Sequence, residues 1–368
     1  MAFSEFRLFF DNEPADEGRL ALFEEIKVEQ AIDMVTEAQL MLPIGRDDAG
    51  DWPEVLDDML APLRRVRVEV MTEGGAFTPL IDGIIVAQRF EMAGGPNESQ
   101  AVMVVHDDST MMNRNERARL WEDMPPEEIA SRIFDEYKIE PRVDSSGIGA
   151  PSLERVVSQC GTDFALLRRL ARQANMIVSV EPGDAPGQSI GHFRHLPGDG
   201  VDLPEMVLTG ELRNVNKLVL ELDALSPVVA HGEMIDHATL QTLSAESRDP
   251  DTKPLGTDPV AGFTTPAEIY PGTFADDRTE LEAGVQAAVD RGAWAYSGEG
   301  EVDGQIYTGV LSPFRRLSVM GAGSRLSGDY LISEVTHTLR DQGYKQNFVL
   351  RRNAHDTGAA GNLLSGVF

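Results

Sequence analysis

The sequence has little cysteine, little positive charge and no long apolar run. Cys160 is the single cysteine among 368 residues, so no intrachain disulfide can form, as in proteins of a reducing compartment. A lone cysteine is more often a small buried hydrophobe than a nucleophile, and we expect Cys160 to be buried. No apolar run approaches the roughly 18 residues of a transmembrane helix. The N-terminus lacks a basic region before an apolar run, so we expect no signal peptide, no membrane insertion, and assembly in the cytoplasm.

Acidic residues outnumber basic ones. The sequence has 32 lysines and arginines against 61 aspartates and glutamates, which gives a net charge of -29. Such a surface repels nucleic-acid phosphate, which argues against stable binding to DNA or RNA. The hydrophobic content of 42% and the charged content of 25% are typical of a folded protein, and 368 residues are too many for one ordinary core. Two or more domains are therefore expected.

Helical periodicity is confined to three stretches. In 124–139, two prolines followed by Glu127 and Glu128 precede an apolar face, which is typical of a helix N-terminus. In 161–176, Thr162 or Asp163 can serve as the N-cap, and a third helix is expected within 276–294. Alternating or β-branched runs predict strands at 64–71, 79–90, 99–107, 216–223, 330–339 and 345–352.

Two segments have a less regular pattern. Residues 244–273 are rich in Pro, Gly, Thr and Asp, which predicts a long excursion or linker over the surface. The residues after Asn353 are mostly small, and we expect them to be loose.

Comparison of the chain with itself indicates an internal repeat. Pro62–Val68 reads PLRRVRV and Pro313–Val319 reads PFRRLSV, so both have a proline at the strand entry, an apolar residue, two arginines and an alternating end. We expect a glycine to open the next strand in each copy, Gly83 in one and Gly328 in the other.

Further matches occur in the same order along the chain. Val104 and Val349 each lie 21 residues after the corresponding glycine. Five apolar residues also have counterparts 180 positions later: Val28, Ile32, Val35, Leu40 and Leu42 match Leu208, Leu212, Val215, Leu220 and Leu222. This order predicts two copies of one antiparallel β unit, each closing on itself to hide its edges. The alternative is two unrelated β domains.

The expected fold class is mainly β with α/β insertions, on two tandem tube-like antiparallel β-barrel domains. The predicted limits are 1–110 for the first barrel, 111–200 for an α/β insertion, 201–243 with 305–353 for the second barrel, 244–304 for a Pro/Gly-rich excursion plus a helix, and 354–368 for a flexible tail.

Three neighbouring glycines, Gly321, Gly323 and Gly328, invite comparison with a phosphate-binding loop. A nucleotide-dependent enzyme that uses the Gly321–Gly328 loop is therefore one alternative function. A phosphate cradle needs a helix N-terminus after its glycines, and the spacing here is not G-x-G-x-x-G. The residues after Gly328 are predicted to form two strands, so we expect no cofactor and interpret the glycines as turns between strands.

Two stretches combine histidines with acids that could bind a metal. They are His192, His195 and Asp199 in the first, and His231, Glu233, Asp236 and His237 in the second. Residues three apart in a strand point to opposite faces, and neither stretch has a recognised ligand spacing, so no metal site is expected. His337 lies in a predicted strand and is interpreted as a packed or hydrogen-bonded histidine. No catalytic constellation can be identified, and an enzyme is not expected.

The middle of the sequence carries the motifs of a known family. WEDMPPEEIASRIFDEYKIEPRVD, followed by ERVVSQCGTDFALLRRLARQANMIVSVE, resembles the middle segment of phage late control protein D and the hub half of VgrG spike proteins. In that family a short helix precedes a strand with a glutamine and a helix with the pattern FL-RLA. Here these are Gln159 and Phe164–Ala171.

The end of the sequence resembles the same family. Its C-terminal signature includes a G-x-Y motif, a His-Thr pair and a final RRN, here Gly328 with Tyr330, His337 with Thr338, and Arg351–Asn353. The resemblance covers nearly the whole chain, from about Ile26 to Asn353.

The resemblance implies the phage tail hub fold and a structural role in a contractile injection machine, such as a phage tail, a type VI secretion device or an extracellular contractile particle. In such hubs, chains with two tube-like barrels assemble as a homotrimer, so six barrels match a six-fold inner tube above and a three-fold spike below. Other baseplate proteins are further implied partners. VgrG chains continue into a spike, whereas this chain stops soon after Asn353, so we expect a separate spike protein. A particle-borne envelope-binding protein is the remaining alternative.

The paired arginines Arg64–Arg65 and Arg315–Arg316 are candidates for the subunit interface. Neighbours in a strand point to opposite faces, so each pair is expected to send one side chain inward and one outward. We hypothesise that one arginine of each pair bridges acidic residues of an adjacent barrel and helps this acidic chain to trimerise. The alternative is a pair of solvated charges that protect a sheet edge.

Overall fold

The computed structural model describes residues 5–356, except 54–57, 73–74, 96–97, 149–155, 197–202, 237–238, 263, 273–274, 276 and 341–342. The strands are β1 Glu5–Phe10, β2 Glu13–Pro14, β3 Glu25–Ala31, β4 Glu37–Pro43, β5 Arg65–Met71, β6 Thr78–Glu91, β7 Gln100–Asp107, β8 Glu116–Glu122, β9 Glu140–Val143, β10 Val156–Thr162, β11 Met176–Pro182, β12 Ser189–His195, β13 Met206–Val207, β14 Lys217–Leu222, β15 Val228–Ile235, β16 Thr242–Ser247, β17 Asp258–Pro259, β18 Ala267–Ile269, β19 Tyr296–Asp303, β20 Arg316–Met320, β21 Gly328–Arg340, β22 Gly343–Arg352 and β23 Ala354–His355. The helices are α1 Glu17–Leu20, α2 Ser109–Met112, α3 Pro126–Glu136, α4 Asp163–Gln173 and α5 Arg278–Gly292, with 3₁₀ turns at Asp58–Leu60 and Val260–Gly262.

The three predicted helices are confirmed as α3, α4 and α5. Helix α3 has Pro126 in its first turn, where the missing N–H of proline costs nothing. Thr162 is the N-cap of α4, and its Oγ1 accepts a hydrogen bond from the backbone N–H of Ala165 at 3.2 Å. Asp277 caps α5 in the same way.

Within the described residues, thirteen strands form one continuous sheet. What we call the first half contains β3, β4, β7, β6, β5, β1 and β2 in that spatial order, and the second half contains β14, β19, β22, β21 and β20, with β13 beside β20. The halves join where β21 pairs antiparallel with β3. A mainly β fold with α/β insertions is therefore confirmed, and closure of each half into a barrel stays a prediction.

Two insertions interrupt the strands of the main sheet and form small sheets of their own. The first, from α2 to β12, comes after β7 and has its own core around α3 and α4. The second lies between β14 and β19, where β15 pairs with β16 and β18 and packs against α5. The predicted domain limits stay a prediction. Strand β15 falls within 201–243, the range given to the second barrel, but it lies in this insertion. Strand β19 falls within 244–304, the range given to the excursion, but it lies in the main sheet.

The upstream part of the proposed repeat was matched to the wrong strand. Strand β3 pairs with β4 as β14 pairs with β19, so the register makes Leu220, not Leu208, the equivalent of Val28. The second insertion separates β14 from β19, whereas β3 and β4 form a short hairpin. A fixed displacement of 180 positions therefore compared β4 with β14, since alternating strands resemble one another.

One local prediction was wrong, and strand pairing bears on two others. Cys160 is exposed on β10, because the inward position is taken by its neighbour Gln159, whose Oε1 accepts a 3.0 Å hydrogen bond from Trp121 Nε1. The region 244–273 is anchored to the fold, since β17 pairs with β23 and Val260 is buried. That pairing also places Ala354–His355 in a strand, and residues 357–368 of the predicted tail lie outside the described residues.

The cores of the two halves meet at the end of the β21–β22 hairpin. Leu339 and Tyr344 belong to the second half in sequence but pack in the core of the first, against residues such as Ile26 and Val28. No helix in the described ranges is long and apolar enough to cross a membrane.

Candidate functional site

The two PxRR segments form the same turn. Leu63 and Phe314 both have a left-handed backbone, with φ of 66° and 69°. Leu63 N–H donates to the carbonyl of Ile85 at 2.8 Å, and Phe314 N–H donates to the carbonyl of Ile332 at 3.0 Å. The strands after the turns, β5 and β20, begin at Arg65 and Arg316.

A β-bulge repeats at the next equivalent place. The β6–β7 pairing shifts register between Ile85 and Ala87, and the β21–β22 pairing shifts between Ile332 and Glu334. In both cases the residue after the bulge faces a valine, Val104 or Val349. A shared turn and a shared bulge at matching positions indicate two copies of one unit.

The expectation that Gly83 opens a strand was wrong, whereas Gly328 does open β21. Gly83 faces Val66 inside β6, and a Cβ there would lie 1.9 Å from the carbonyl oxygen of His106. By register the equivalent of Gly83 is Tyr330, which faces Leu317 as Gly83 faces Val66. Gly83 is required because another backbone approaches it closely.

Arg65 and Arg67 join the first half to the first insertion. Arg65 bonds Asp82 at 2.6 Å and both carboxylate oxygens of Asp108, at 3.0 and 2.9 Å. Arg67 is 2% exposed and bonds Glu69 at 2.8 Å and Asp82 at 3.1 Å. Its Nη1 also donates to the carbonyl of Gly183 at 2.8 Å, in the loop between β11 and β12. These charges therefore hold the insertion hairpin against the sheet.

The other predicted interface arginines differ in their surroundings. Arg64 lies 2.8 Å from Asp11. Arg315 is exposed at the turn, and Arg316 is half-buried, with its Nε lacking a hydrogen-bond partner among the described residues. A subunit-interface role for the four arginines stays a prediction, although Arg65 is already engaged by carboxylates of its own chain.

Arg352 fastens three segments at the end of the second half. It is 1% exposed, and it donates to the carbonyl of Leu255 at 2.8 Å, to the carbonyl of Ser327 at 3.0 Å and to the Asp356 carboxylate at 2.7 Å. The Arg352 guanidinium carbon lies 5.2 Å from the centroid of the Tyr330 ring, within cation–π range.

Gly328 and Asn353 complete this cluster. Gly328 has φ of 128°, and a Cβ there would come within 2.5 Å of Arg352 Nη2. Asn353 Oδ1 accepts from the N–H of Leu255 at 2.8 Å, and its Nδ2 donates to the carbonyl of Lys253 at 3.1 Å. The G-x-Y and RRN motifs are thus brought together, and they attach the 244–273 region to the sheet.

His337 lies at the join between the halves and is fully buried. Gln30 Nε2 donates to the carbonyl of Leu80 at 2.7 Å, so the Gln30 Oε1 accepts from His337 Nε2–H at 3.2 Å. His337 Nδ1 then accepts from the hydroxyl of Tyr344 at 2.7 Å. Burial lowers the pKa of His337 to about 3 and raises the pKa of Tyr344, so this network is neutral at physiological pH.

The Gly321–Gly328 loop connects two paired strands, β20 and β21. Gly321 and Gly323 have φ of 84° and 86°, and Ser327 N–H donates to the carbonyl of Gly323 at 2.9 Å. Strand β21 begins directly after the loop, where a phosphate cradle would need a helix N-terminus. The geometry is that of a strand connection.

The family model of the phage tail baseplate hub (GPD) matches residues 55–343. The chain belongs to this family. No curated protein matches this hub chain in sequence.

Solved structures show the same fold as this hub chain at low sequence identity. The 43 kDa tail protein of prophage MuSo2 from Shewanella oneidensis has a TM-score of 0.67 and 14% identity, over 96% of the hub chain and 100% of that protein. A tail protein from Neisseria meningitidis MC58 has a TM-score of 0.65 and 11% identity, over 95% and 97% of the two chains. The E. coli c3393 protein, a component of the type VI secretion system, has a TM-score of 0.57 and 10% identity, over 97% and 79%.

The described histidines of the two stretches considered for a metal contact other protein groups. His192 lies 3.6 Å from Glu181, and burial lowers its pKa to about 4, while His195 Nε2 donates to the carbonyl of Ser145 at 3.0 Å. His231 stacks on Tyr270 at 5.3 Å between ring centroids. In the described part of the hub chain no three histidine, cysteine or acidic side chains are grouped to hold a metal ion. Asp199 and His237 lie outside the described residues.

Sequence reasoning missed the buried charges of this hub chain, among them Arg67, Asp82 and Asp107. Their signal is a charged residue inside an otherwise apolar strand, as in the run Val66-Arg67-Val68. A buried charge is stable only when it is paired, so such a residue predicts a partner from elsewhere in the fold.

Proposed function

We propose that the chain is the structural baseplate hub of a contractile injection machine. In this proposal three copies form a ring around the central channel and adapt a six-fold inner tube to a three-fold spike. The tube protein, the spike and other baseplate proteins are its partners, and the role is structural, with no catalysis and no stable binding of nucleic acid. Membership of the baseplate hub family supports this function.

The observation that carries the proposal is the repeat inside one sheet. The two halves share the PxRR turn, the bulge and the order of five strands, and they are joined edge to edge by β21 and β3. A chain with two similar units can fill two of six positions around an axis, so three chains present six similar units to a tube while keeping three-fold symmetry.

The test is the mass and shape of the purified chain. We expect light scattering after size-exclusion chromatography to give three times the chain mass, and electron-microscope class averages to give three-fold rings with a central hole. A chain that stays monomeric at all concentrations and in the presence of its tube protein would contradict the proposal.

A further inference from the structure

The two halves of one chain are joined by a seam of paired backbone. Residues Glu334–Arg340 of β21 pair antiparallel with Ala31–Glu25 of β3, and His337 lies opposite Val28. One face of this seam is buried, since Leu339 lies opposite Ile26 and His337 lies opposite Val28, and all four are buried. The other face is polar and includes an ion pair between Arg340 and Glu25.

The repeat provides an equivalent for each of these two strands. The shared bulge makes β6 the equivalent of β21, and it makes Phe90 the equivalent of His337. Strand β14 is the equivalent of β3. In the first half β3 pairs with β4, which pairs with β7, and in the second half β14 pairs with β19, which pairs with β22. In that register Leu220 is the equivalent of Val28.

Both equivalent strands present an open edge. β6 pairs with β7 along one edge, and among the described residues no backbone hydrogen bond reaches its other edge between Ala87 and Glu91. In the same way, β14 pairs with β19 along one edge, and none reaches its other edge between Lys217 and Leu222. A long unpaired edge is a template for another strand. In the first half β3 therefore has a partner strand at the seam and the open edge of β6 has none. In the second half β21 has a partner strand at the seam and the open edge of β14 has none.

We propose that the open edge of β6 in one subunit pairs antiparallel with β14 of a second copy of this chain, with Phe90 opposite Leu220. This inference rests on the proposed three-chain ring and specifies its interface. The register, carried over from the seam inside the chain, places Arg89 opposite Glu221, Gln88 opposite Leu222 and Met92 opposite Leu218.

The side chains fit this register on both faces. Phe90 packs on the core of the first half, and Leu218 and Leu220 pack on the core of the second, so apolar positions continue from one subunit to the next. Met92 is 54% exposed and Leu222 is 36% exposed, and both would be covered. A shift by one residue would instead place Phe90 opposite Glu221 or Val219, on the wrong face.

Charge on the polar face agrees with the same register. Arg89 has a side chain 73% exposed, and within its chain it pairs with Glu91 on the same strand. Glu221 is exposed on β14. Opposite charges directly across two strands stabilise the pairing, as Arg340 and Glu25 do in the seam inside the chain. The chain therefore carries complementary charges at the two edges that the repeat matches.

The contact joins two different edges, so each subunit would use both and the pairing would continue around a ring. Seams within chains would alternate with seams between chains. Closure then depends on a constant rotation between neighbouring units, which similar seams provide.

Disulfide trapping tests the register. In a Cys160→Ser background, Arg89→Cys with Glu221→Cys places two sulfurs on directly opposite residues, at a separation that a disulfide can span. We expect covalent trimers on denaturing, non-reducing gels after mild oxidation. Mixing chains that carry one substitution each must give covalent dimers, which shows that the bond joins two subunits. The matched control, Arg89→Cys with Leu220→Cys, changes the register by one residue and must not cross-link efficiently.

The outcomes separate this inference from the proposed ring. A wild-type trimer whose Arg89→Cys/Glu221→Cys variant forms no cross-link, or cross-links no better than the control pair, overturns the seam and leaves the hub role standing. A wild-type chain that never trimerises overturns both.

Charge exchange gives an independent measurement. We expect Arg89→Glu and Glu221→Arg each to raise the concentration for half-dissociation of the trimer about tenfold or more, because the substitution acts at three interfaces. The double variant Arg89→Glu/Glu221→Arg is expected to recover most of that loss. Arg142→Glu, at an exposed arginine in the first insertion, is the control and is expected to leave the trimer unchanged. Failure of the double variant to recover would contradict the pairing of these two residues.

Discussion

Asp107 and Arg352 occupy equivalent places in the two halves and carry opposite charge. Each lies three residues after the valine that faces the bulge, Val104 in β7 and Val349 in β22, and each ends its strand. Both are buried, Asp107 to 3% exposed and Arg352 to 1%.

The two residues satisfy opposite kinds of backbone group. Asp107 accepts hydrogen bonds from the N–H groups of Thr36 at 2.6 Å and Ser109 at 2.8 Å, where the first insertion begins. Arg352 donates to two carbonyl groups, one of them in the second insertion. The comparison shows that the strands of the unit are shared, whereas the buried charge at this position differs according to the insertion that each half must attach.

Removing Arg352 should have the largest effect. We expect Arg352→Met to lower the free energy of unfolding by about 3–5 kcal/mol, because it leaves two buried carbonyls without their donor and removes the cation paired with Asp356. Urea unfolding at one fixed chain concentration measures this loss, since assembly also changes apparent stability. Hydrogen exchange should show lost protection at 255–260, not in the first insertion.

The neighbouring arginine is the matched control. Arg351 is exposed on the same strand, so Arg351→Met should change the free energy of unfolding by less than about 0.5 kcal/mol. Equal losses for the two variants would mean that the contacts of Arg352 do not anchor the second insertion.

The corresponding change in the first half should be smaller. Asp107→Asn keeps the shape of the side chain but replaces one acceptor oxygen with an NH₂ group that faces a backbone donor. We expect a loss of about 1–3 kcal/mol in the same urea measurement. Asp48→Asn, at an exposed aspartate, serves as the control. An unchanged stability would show that Asp107 is not needed to hold the start of the first insertion.

Asp107 in the first half and His337 in the second should change the stability in opposite directions as the pH changes. Burial raises the pKa of Asp107 to about 6 from 3.8, so its contribution is complete below pH 3.8 and is lost as the pH rises through 6. Burial lowers the pKa of His337 to about 3 from 6.5, so its contribution is complete above pH 6.5 and is lost as the pH falls toward 3. His192, with a pKa of about 4, acts in the direction of His337.

Two variants read these opposing contributions. Between pH 7 and pH 5, we expect His337→Gln to lose less stability than the wild type, and Asp107→Asn to lose more. Urea midpoints at the two pH values measure both, and the other titrating groups cancel in the comparison with the wild type. Parallel changes in all three proteins would show that neither buried group titrates as stated.

Patterns of neighbouring residues predicted the helices and strands better than they predicted which strands pair. The N-termini of α3 and α4 and the PxRR repeat depend on neighbouring residues, and the sequence contains that information. The equivalence of β3 with β14 depends on which strands pair, and an insertion had separated the strands of one hairpin. The resemblance gave the G-x-Y and RRN motifs, but their contact through Arg352 requires the pairing of β21 with β22.

The site was predictable only in part for the same reason. Gly328, Tyr330 and His337 were identified from the sequence as motif residues, and the structure shows a buried contact for each. Arg67 and Asp107 were not identified. A charged residue inside an apolar strand indicates a buried charge, but it does not show which other segments supply its partners.

The smallest expected effect concerns the left-handed residue of the two PxRR turns. Glycine adopts this backbone without strain, so Leu63→Gly, at a side chain 58% exposed, should raise the free energy of unfolding by about 0.5–1 kcal/mol. Phe314→Gly should gain less, or lose stability, because the Arg194 guanidinium lies 4.5 Å from the centroid of the Phe314 ring and that contact contributes about 0.5–1 kcal/mol. Repeating both substitutions in an Arg194→Met background should bring the two values closer together. If the difference persists there, the two turns differ in backbone strain and not in the contact with Arg194.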